Sequence, residues 1–561
     1  MEIKRIAPSF AASPQLRPED VAAAAEAGYK TIVCNRPDGE GDDQPRASAI
    51  AEACRDSGVE FRYLPVKPGR MPQETLDAFD DMLRNAKAPI LGYCRTGNRS
   101  ATLWSLARSS HLSPEAILSA TAQAGYDLSG LRLAMEERFG TDVSGARPEG
   151  FDVLIVGGGA GGVSAAASLL KRSPGLKIAL IEPREDHYYQ PGWTLVGAGV
   201  FEPAQTRRPM RDVLPPQIKW IRGAVAEFHP DRDEVLLEDG ARYAYRALVV
   251  SPGLKLDWEA VEGLPDTLGR NGVTSNYRYD LAPYTWDLVR GLREGRALFT
   301  QPPMPIKCAG APQKAMYLSA DHWQRMGRLK DIDVEFANAG GVLFGVPEYV
   351  PALMDYVRRY DATLSFNENL VSVDGDRKVA TFRVTDGEGS RMVEKAFDML
   401  HVCPPQTGLD FMKASPLVDD GGWMDVDPRT LRHTRYENVF GLGDGTSTPN
   451  AKTAAAVRKQ APVVAVNVLA HLKGKPPSAA YDGYGSCPLT VERGKIVLAE
   501  FAYGGKLAPS FPEWLLDGRK PTRAAWLLKE RLLPPMYWKG MFRGREYLAE
   551  PDLSFQKIAA E

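Results

Sequence analysis

Residues 152–183 read DVLIVGGGAGGVSAAASLLKRSPGLKIALIEP. The apolar run Val153 to Val156 predicts a buried strand. Gly157, Gly159 and Gly162 follow at G-x-G-x-x-G spacing. A helix is expected over about Ser164 to Lys171, stopped by Ser-Pro-Gly, and a second strand over Lys177 to Ile181 ends at Glu182. Each part has a physical task. Gly157 permits the sharp turn, Gly159 lets backbone approach a pyrophosphate, and Gly162 lets the helix pack closely on the strand. The helix start offers free N–H groups and the positive end of a dipole to that pyrophosphate. Glu182 stands twenty residues past the last glycine, where a carboxylate can accept from ribose hydroxyls. Strand, glycines, helix, strand and acid in this order predict dinucleotide binding. The competing reading, a membrane-spanning helix, sits poorly with the cluster of glycines and the β-branched start.

Outward from this stretch, 561 residues allow several domains, each with its own core. A formal net charge of −2 gives no basic field for nucleic acid. The start MEIKRIAPSFAASPQL has no apolar core of a secretory signal. Six scattered cysteines, Cys34, Cys54, Cys94, Cys308, Cys403 and Cys487, show no metal-ligand spacing. The expectation is a cytoplasmic chain with free thiols and no metal site.

Upstream, strand-like and helix-like pieces alternate as far as about Gly140. The strand Pro89 to Tyr93 leads into Cys94-Arg95-Thr96-Gly97-Asn98-Arg99-Ser100 and then a helix. A cysteine in such a loop gains a dipole and converging N–H groups for its thiolate, and Arg99 adds a cation for an anion. This layout, with the strand Phe61 to Val66, resembles the dual-specificity protein phosphatases. Their signature is H-C-x5-R with an aspartic acid after that strand. Here Tyr93 precedes the cysteine, four residues separate Cys94 from Arg99, and Lys67-Pro68-Gly69 stands in the acid's place. The short loop is instead similar to the C-x-x-G-x-R loop of rhodaneses, which carry a persulfide. Three readings stay open: a sulfurtransferase or persulfide carrier, a phosphatase, and a domain used only for interaction.

Downstream of Glu182 come His187-Tyr-Tyr-Gln190-Pro-Gly-Trp-Thr, then Lys307-Cys308-Ala-Gly-Ala-Pro-Gln-Lys314. Further on are Val439-Phe-Gly-Leu-Gly-Asp444 with Lys452-Thr453-Ala-Ala-Ala, and Tyr481-Asp-Gly-Tyr-Gly-Ser-Cys487-Pro-Leu. From about Phe151 to the C-terminus the chain resembles the sulfide:quinone oxidoreductases. The resemblance implies a two-Rossmann flavoprotein fold with FAD, oxidation of sulfide or a small persulfide, and a membrane quinone as electron acceptor. It implies FAD contacts from Gln190, Val225, Asp444, Lys452 and Thr453. On physical grounds Asp444, after a strand, can accept from ribityl hydroxyls. The helix beginning at Lys452-Thr453 would aim its dipole at the flavin. The second nucleotide-type domain, about Arg296 to His401, has no G-x-G-x-x-G after its strand Asp333 to Ala337.

In this family two cysteines flank the flavin and shuttle sulfur. Cys308 matches the first. The second follows the Gly-x-Gly-Asp motif directly, where this chain has Gly445. Cys403, at the end of an expected strand Phe397 to Val402, is the candidate for a relocated partner. Cys487 is read as packing.

The tail differs again. Between Arg519 and Arg545 eight Lys or Arg face one acid, Glu530, among Trp526, Leu527, Leu532, Trp538 and Phe542. This mixture suits a helix lying in a membrane interface, with packing on the protein body as the alternative. The whole is read as α/β. It has a phosphatase-like domain with a rhodanese-type loop over 1–142, a linker over 143–150, a two-Rossmann FAD oxidoreductase over 151–509, and an amphipathic, membrane-associating tail over 510–561. The rivals are a quinone reductase without sulfur chemistry and a redox-sensing flavoprotein. The oligomeric state, a homo-oligomer included, stays open.

Overall fold

A computed structural model describes residues 2–67, 71–109, 112, 114–138, 148–387 and 389–553. The chain divides into two compact units, Met1–Gly150 with Gly223–Ala244, and Phe151–Arg222 with Tyr245–Glu561.

The first unit is built on five strands: β1 (Lys4–Ala7), β2 (Phe10–Ser13), β3 (Thr31–Cys34), β4 (Glu60–Tyr63) and β5 (Ile90–Tyr93). Their order is β1-β2-β5-β3-β4, parallel except for β1. Six helices accompany them: α1 (Asp20–Glu26), α2 (Ala47–Asp56), α3 (Gln73–Asn85), α4 (Asn98–Arg108), α5 (Pro114–Gln123) and α6 (Arg132–Arg138). In α3 the apolar positions Leu76, Phe79 and Met82 recur at helical spacing and share a core with Phe10 and Trp104. All four residues of the central strand β5 are buried. Its neighbours on both sides are strands, so its carboxyl end opens where the sheet presents Cys94. The hairpin formed by Val225–His229 and Glu234–Leu237 belongs to this unit: Leu236 joins the same core, and Arg108 donates to the Glu238 carbonyl. The expected linker residues 143–147 lie outside the described residues. Glu149 and Gly150, also expected as linker, already form the start of a strand.

That strand is β6 (Glu149–Val156). With α7 (Ala160–Arg172), β7 (Ile178–Ile181), β8 (Lys219–Ile221) and β9 (Arg242–Val250) it forms the first Rossmann-type half. β6, β7 and β8 are parallel neighbours. The helix begins four residues earlier than its composition suggests, because Gly159 already serves as its N-cap. At 13 residues it cannot span a bilayer, and among the described residues no helix is long and apolar enough to do so.

The second half is a wholly parallel sheet. Its strands are β10 (Val273–Thr274), β11 (Gly295–Gln301), β12 (Ile332–Asn338), β13 (Thr363–Phe366) and β14 (Met399–His401), in the order β10-β14-β11-β12-β13. Helix α8 (Ala311–Arg325) packs beside β11 and β12, with Trp323 fully buried. The chain then returns to the first half. β15 (Val439–Gly441) pairs with β9, and the helix α9 (Ala454–Leu472) packs into the core that holds Val163 and Leu169 of α7. A last hairpin, β16 (Gly485–Glu492) and β17 (Lys495–Phe501), joins the core of the second half through Cys487, Leu489 and Val497.

Candidate active site

The glycine loop has the geometry its spacing predicts. Gly157 sits at φ +100°, and a side chain there would lie 2.3 Å from the Ser251 carbonyl oxygen. At Gly162 a Cβ would stand 1.9 Å from the Gly157 carbonyl oxygen, so only glycine lets the helix close on its strand. Around Gly159 no atom beyond the adjoining backbone comes within 4 Å of the missing Cβ, and this is the face a pyrophosphate needs. The Glu182 carboxylate accepts from the Gly158 N–H at 2.8 Å and from the Arg184 N–H at 3.0 Å, which holds it over the loop.

A second group of side chains gathers at the start of α9. Thr453 is the N-cap, its hydroxyl accepting from the Ala456 N–H at 3.2 Å. Lys452 donates to the Thr446 carbonyl at 2.8 Å and stands 4.4 Å from the Trp423 ring. Burial presses its ammonium down to about 8, against the pull of Asp444. Burial likewise raises the Asp444 carboxyl, opposed by Lys307 and Lys452. Lys307 donates to the Gln190 side-chain oxygen at 2.6 Å. Thus Gln190, Lys307, Asp444, Lys452 and Thr453, distant in sequence, form one electrostatic neighbourhood. With the open face at Gly159 and the placed Glu182, these residues fit FAD: glycines for the pyrophosphate, Glu182 for ribose, Asp444 for ribityl hydroxyls, and the α9 start for the flavin ring. Val225 is buried in the Val225–His229 strand, which belongs to the first unit.

Cys308 adjoins the same neighbourhood. Its N–H donates to the Lys452 carbonyl at 2.8 Å, and it occupies a left-handed conformation at φ 50°, a costly one for a residue with a side chain. The Lys314 ammonium, on the fourth residue of α8, stands 3.3 Å from the Cys308 sulfur. The sulfur of Cys487 stands 3.7 Å away. A Cβ on Gly310 would lie 2.4 Å from the Cys487 sulfur, so this glycine makes room for the approach. Lys529, buried in the tail, adds a second basic group. The hydrogen bond from Cys487, followed by the charges of Lys314 and Lys529, holds the Cys308 thiol well below its usual range despite burial. The same hydrogen bond and burial push Cys487 up. Lys529 falls to about 7 through burial and repulsion by Lys314.

Cys403 lies in a small core with Tyr277, Ile306 and Ala311 that Cys308 packs against. It follows β14 as anticipated, but its sulfur lies 3.8 Å from both the Pro404 carbonyl and the Gln406 amide, and burial lifts the thiol to about 12. The sulfur brought against Cys308 is that of Cys487, the cysteine expected to serve only in packing. At Gly445 a Cβ would stand 2.6 Å from the Gly253 carbonyl oxygen, so backbone occupies the room a thiol would need. Lys314 was legible as part of the Cys308 motif. Nothing local marks Lys529, which reaches the site only because the tail folds back.

In the first unit Cys94 is buried at the end of β5, and Gly97, at φ +85°, caps α4. Arg99 is not free to receive an anion. Its guanidinium makes two bonds to the Glu40 carboxylate, at 2.9 and 2.6 Å, and one to the Val66 carbonyl at 2.8 Å. Arg36 holds the same carboxylate at 3.1 Å. Both guanidinium groups keep the Glu40 carboxyl below its usual range, Arg99 contributing most. An open cavity of about 420 Å³ is lined by Glu40, Arg95, Thr96, Asn98 and Arg99.

The tail forms a bent series of helical turns from Arg523 to Arg543. Trp526, Tyr537, Trp538 and Phe542 point inward, and Tyr537 donates to the Nε2 of His187 at 2.7 Å. These aromatics therefore pack on the protein body, contrary to a wholly membrane-facing reading. Trp514, Leu515, Leu527 and Leu532 stay outside, Trp514 at 84% exposure and Leu532 at 60%.

Residues 151–287 match the family model of the pyridine nucleotide-disulphide oxidoreductases, and residues 2–111 match the phosphatase-like domain of beta-lactamase hydrolase-like protein. Over 394 residues the chain is 40% identical to a mitochondrial sulfide:quinone oxidoreductase of Mus musculus, covering 70% of this chain and 87% of that one. Identity to the mitochondrial sulfide:quinone oxidoreductase of Dictyostelium discoideum is 41% over 396 residues, covering 70% of this chain and 86% of that one. The solved sulfide:quinone oxidoreductase of Aquifex aeolicus shares the fold, with a TM-score of 0.58 at 19% identity over 70% of this chain and 92% of that one.

Proposed function

Because the chain belongs to the sulfide:quinone oxidoreductase family, we propose that it oxidises sulfide, or a small persulfide, and delivers the electrons to a quinone. It is an FAD flavoenzyme, and the bound flavin supplies the two-electron step between sulfur and quinone. The observation that carries the sulfur chemistry is Cys308, strained, beside a lysine ammonium and a second sulfur, and bonded to the α9 start. The absent thiol at Gly445 favours a second reading, a quinone reductase that leaves sulfur alone. Anaerobic titration of the purified flavoprotein separates the two. Sulfide should bleach the flavin and a quinone analogue should restore it. Bleaching by NADH and not by sulfide would overturn the sulfur reading. Against NADH stands the loop after β12, where the Asn338 side chain closes on Gly340 N–H and Val342 carbonyl, at 2.8 and 2.9 Å.

The part over 1–142 is proposed to carry sulfur on Cys94, and 151–509 to hold the flavin chemistry. Cys94→Ser should abolish thiosulfate-dependent sulfur transfer and spare flavin reduction. Hydrolysis of aryl phosphates lost in that variant would favour the phosphatase alternative instead. The part over 510–561 is proposed to rest on a membrane surface through Trp514, Leu515, Leu527 and Leu532 among its basic residues, giving peripheral association. Trp514→Ser with Leu532→Ser should release the protein from anionic vesicles. Unchanged binding would sink that assignment.

A further inference from the structure

At the Cys94 loop the arginine expected to meet an anion is bonded to Glu40, while a buried phenol against the loop has nothing to bond. We infer that the Tyr126 hydroxyl holds the outer sulfur of a persulfide on Cys94. This rests on the proposed role of Cys94 as a sulfur carrier and adds the residue that receives the carried sulfur.

Tyr126 follows α5 and is 6% exposed, and its hydroxyl has no hydrogen-bond partner among the described residues. A buried hydroxyl left unpaired is costly, and its persistence in a folded chain calls for a reason. Its placement supplies one. A Cβ on Gly97 would stand 2.2 Å from the Tyr126 Oη and 3.1 Å from its Cζ, so the phenol meets the loop hydroxyl first. The same point lies 3.3 Å from the Ser13 carbonyl carbon, and the Ser13 oxygen accepts from the Cys94 N–H at 3.4 Å. Tyr126, Ser13 and Cys94 therefore converge at the turn of the loop, and glycine at position 97 leaves room for the hydroxyl. Burial lifts Tyr126 to about 12, with the charge of Cys94 adding to it, so the phenol keeps its proton and can donate at neutral pH.

The chemistry balances without an oxidant. The Cys94 thiolate attacks the outer sulfur of a sulfane donor such as thiosulfate. The bond between the donor's two sulfurs breaks, a bond from Cys94 to the transferred sulfur forms, and sulfite leaves with the bonding pair. The negative charge then sits on the outer sulfur, about 2 Å beyond the Cys94 sulfur. Attack on it by a low-molecular-weight thiolate releases a small persulfide and returns the Cys94 thiolate. The Tyr126 hydroxyl makes no bond to Cys94 in the empty loop, so a bond to the added sulfur favours the loaded loop over the empty one. Arg99 is engaged by Glu40 and the Val66 carbonyl, which leaves the neutral phenol to meet a single sulfur anion.

The test uses the full-length flavoprotein, reduced, freed of reductant and given thiosulfate, with peptide mapping by mass to read the gain of one sulfur at Cys94. Tyr126→Phe keeps the ring and removes the hydroxyl. Its maximal loading rate should fall about tenfold, the worth of one hydrogen bond to a charged group, while the thiosulfate concentration giving half that rate stays unchanged. The hydroxyl has no partner to lose in the empty loop, so the reduced variant should melt no lower than wild type and alkylate at Cys94 at the wild-type rate. Loading at the wild-type rate in Tyr126→Phe, or a lower melting temperature of the reduced variant, would overturn the inference and leave Cys94 as the carrier. If wild-type Cys94 gains no sulfur, the carrier reading itself fails and the inference falls with it.

Discussion

Cys308 and Cys487 stand 3.7 Å apart, sulfur to sulfur, although 179 positions of chain separate them. One lies at the entry to α8 and the other in β16, and both elements pack into the core of the second Rossmann-type half. A rigid core holds the pair together, so its reactivity is set by neighbours that side-chain substitution can reach.

Lys314 is the first such neighbour. Its ammonium lies 3.3 Å from the Cys308 sulfur and lowers that thiol, after the larger effect of the hydrogen bond from Cys487. A hydrogen bond to a charged group is worth about 1.5–3 kcal/mol, so Lys314→Met should slow alkylation of Cys308 at neutral pH by roughly tenfold or more. Its pH profile should move upward. An unmoved profile in the reduced protein would show that the lysine does not hold the thiolate.

Gly445→Cys, the substitution that would reproduce the family pattern, should fail to repair anything. Its Cβ would meet the Gly253 carbonyl oxygen at 2.6 Å, backbone that cannot swing aside as a flexible side chain could. Overpacking of this kind costs about 1–3 kcal/mol. The variant should melt below wild type and show no new disulfide to Cys308 by peptide mapping. A fully stable variant with that disulfide would contradict the packing seen here.

Glu40 governs the Cys94 loop. Its carboxylate makes two bonds to Arg99 and one to Arg36, so an incoming anion must displace it. Glu40→Gln removes the competing charge and should tighten thiosulfate or sulfate binding by about tenfold, a factor that corresponds to the loss of one charge-assisted bond. Protection of Cys94 from alkylation by either anion measures this. Equal protection in both proteins would mean that Arg99 is not where anions bind.

His187 ties the tail to the glycine loop. Its Nδ1 faces the Gly158 carbonyl at 2.9 Å and so carries the proton, while Nε2 accepts from Tyr537. Burial lowers its pKa from 6.5 to about 4. Between these values the unfolded chain binds a proton that the folded chain does not, so stability falls as pH drops through 6.5 toward 4, by up to roughly 3 kcal/mol. His187→Gln should flatten the fall in urea-unfolding stability between pH 7 and pH 5. His401, also lowered to about 4, contributes in the same direction and is unaltered in the comparison. Parallel slopes for the two proteins would exclude His187 as a source of acid lability.

What the amino-acid order determined by itself is local. The glycine spacing placed a strand, a turn and a helix, because φ freedom, close backbone approach and apolar run length act within a few residues. Glu182 and the helix starting after Thr453 were legible for the same reason, and so was Cys308 through the motif that contains it. Tertiary structure alone decided which thiol Cys308 meets. Cys403 ends a strand of the expected doubly wound pattern, yet its thiol turns to Gln406. Cys487 sits in a strand like any buried cysteine, and only the packing of α8 against β16 brings it to Cys308. The tail shows the same division. Its mixture of Lys, Arg, Trp and Leu was plain, but composition has no direction. The bend of its helical turns sends Trp538 and Phe542 inward and leaves Leu527 and Leu532 to solvent. Glu40 met Arg99, and Gly253 closed the space at Gly445, for a common reason: which groups a folded chain presses together depends on how its layers stack, and no spacing along the sequence encodes that distance.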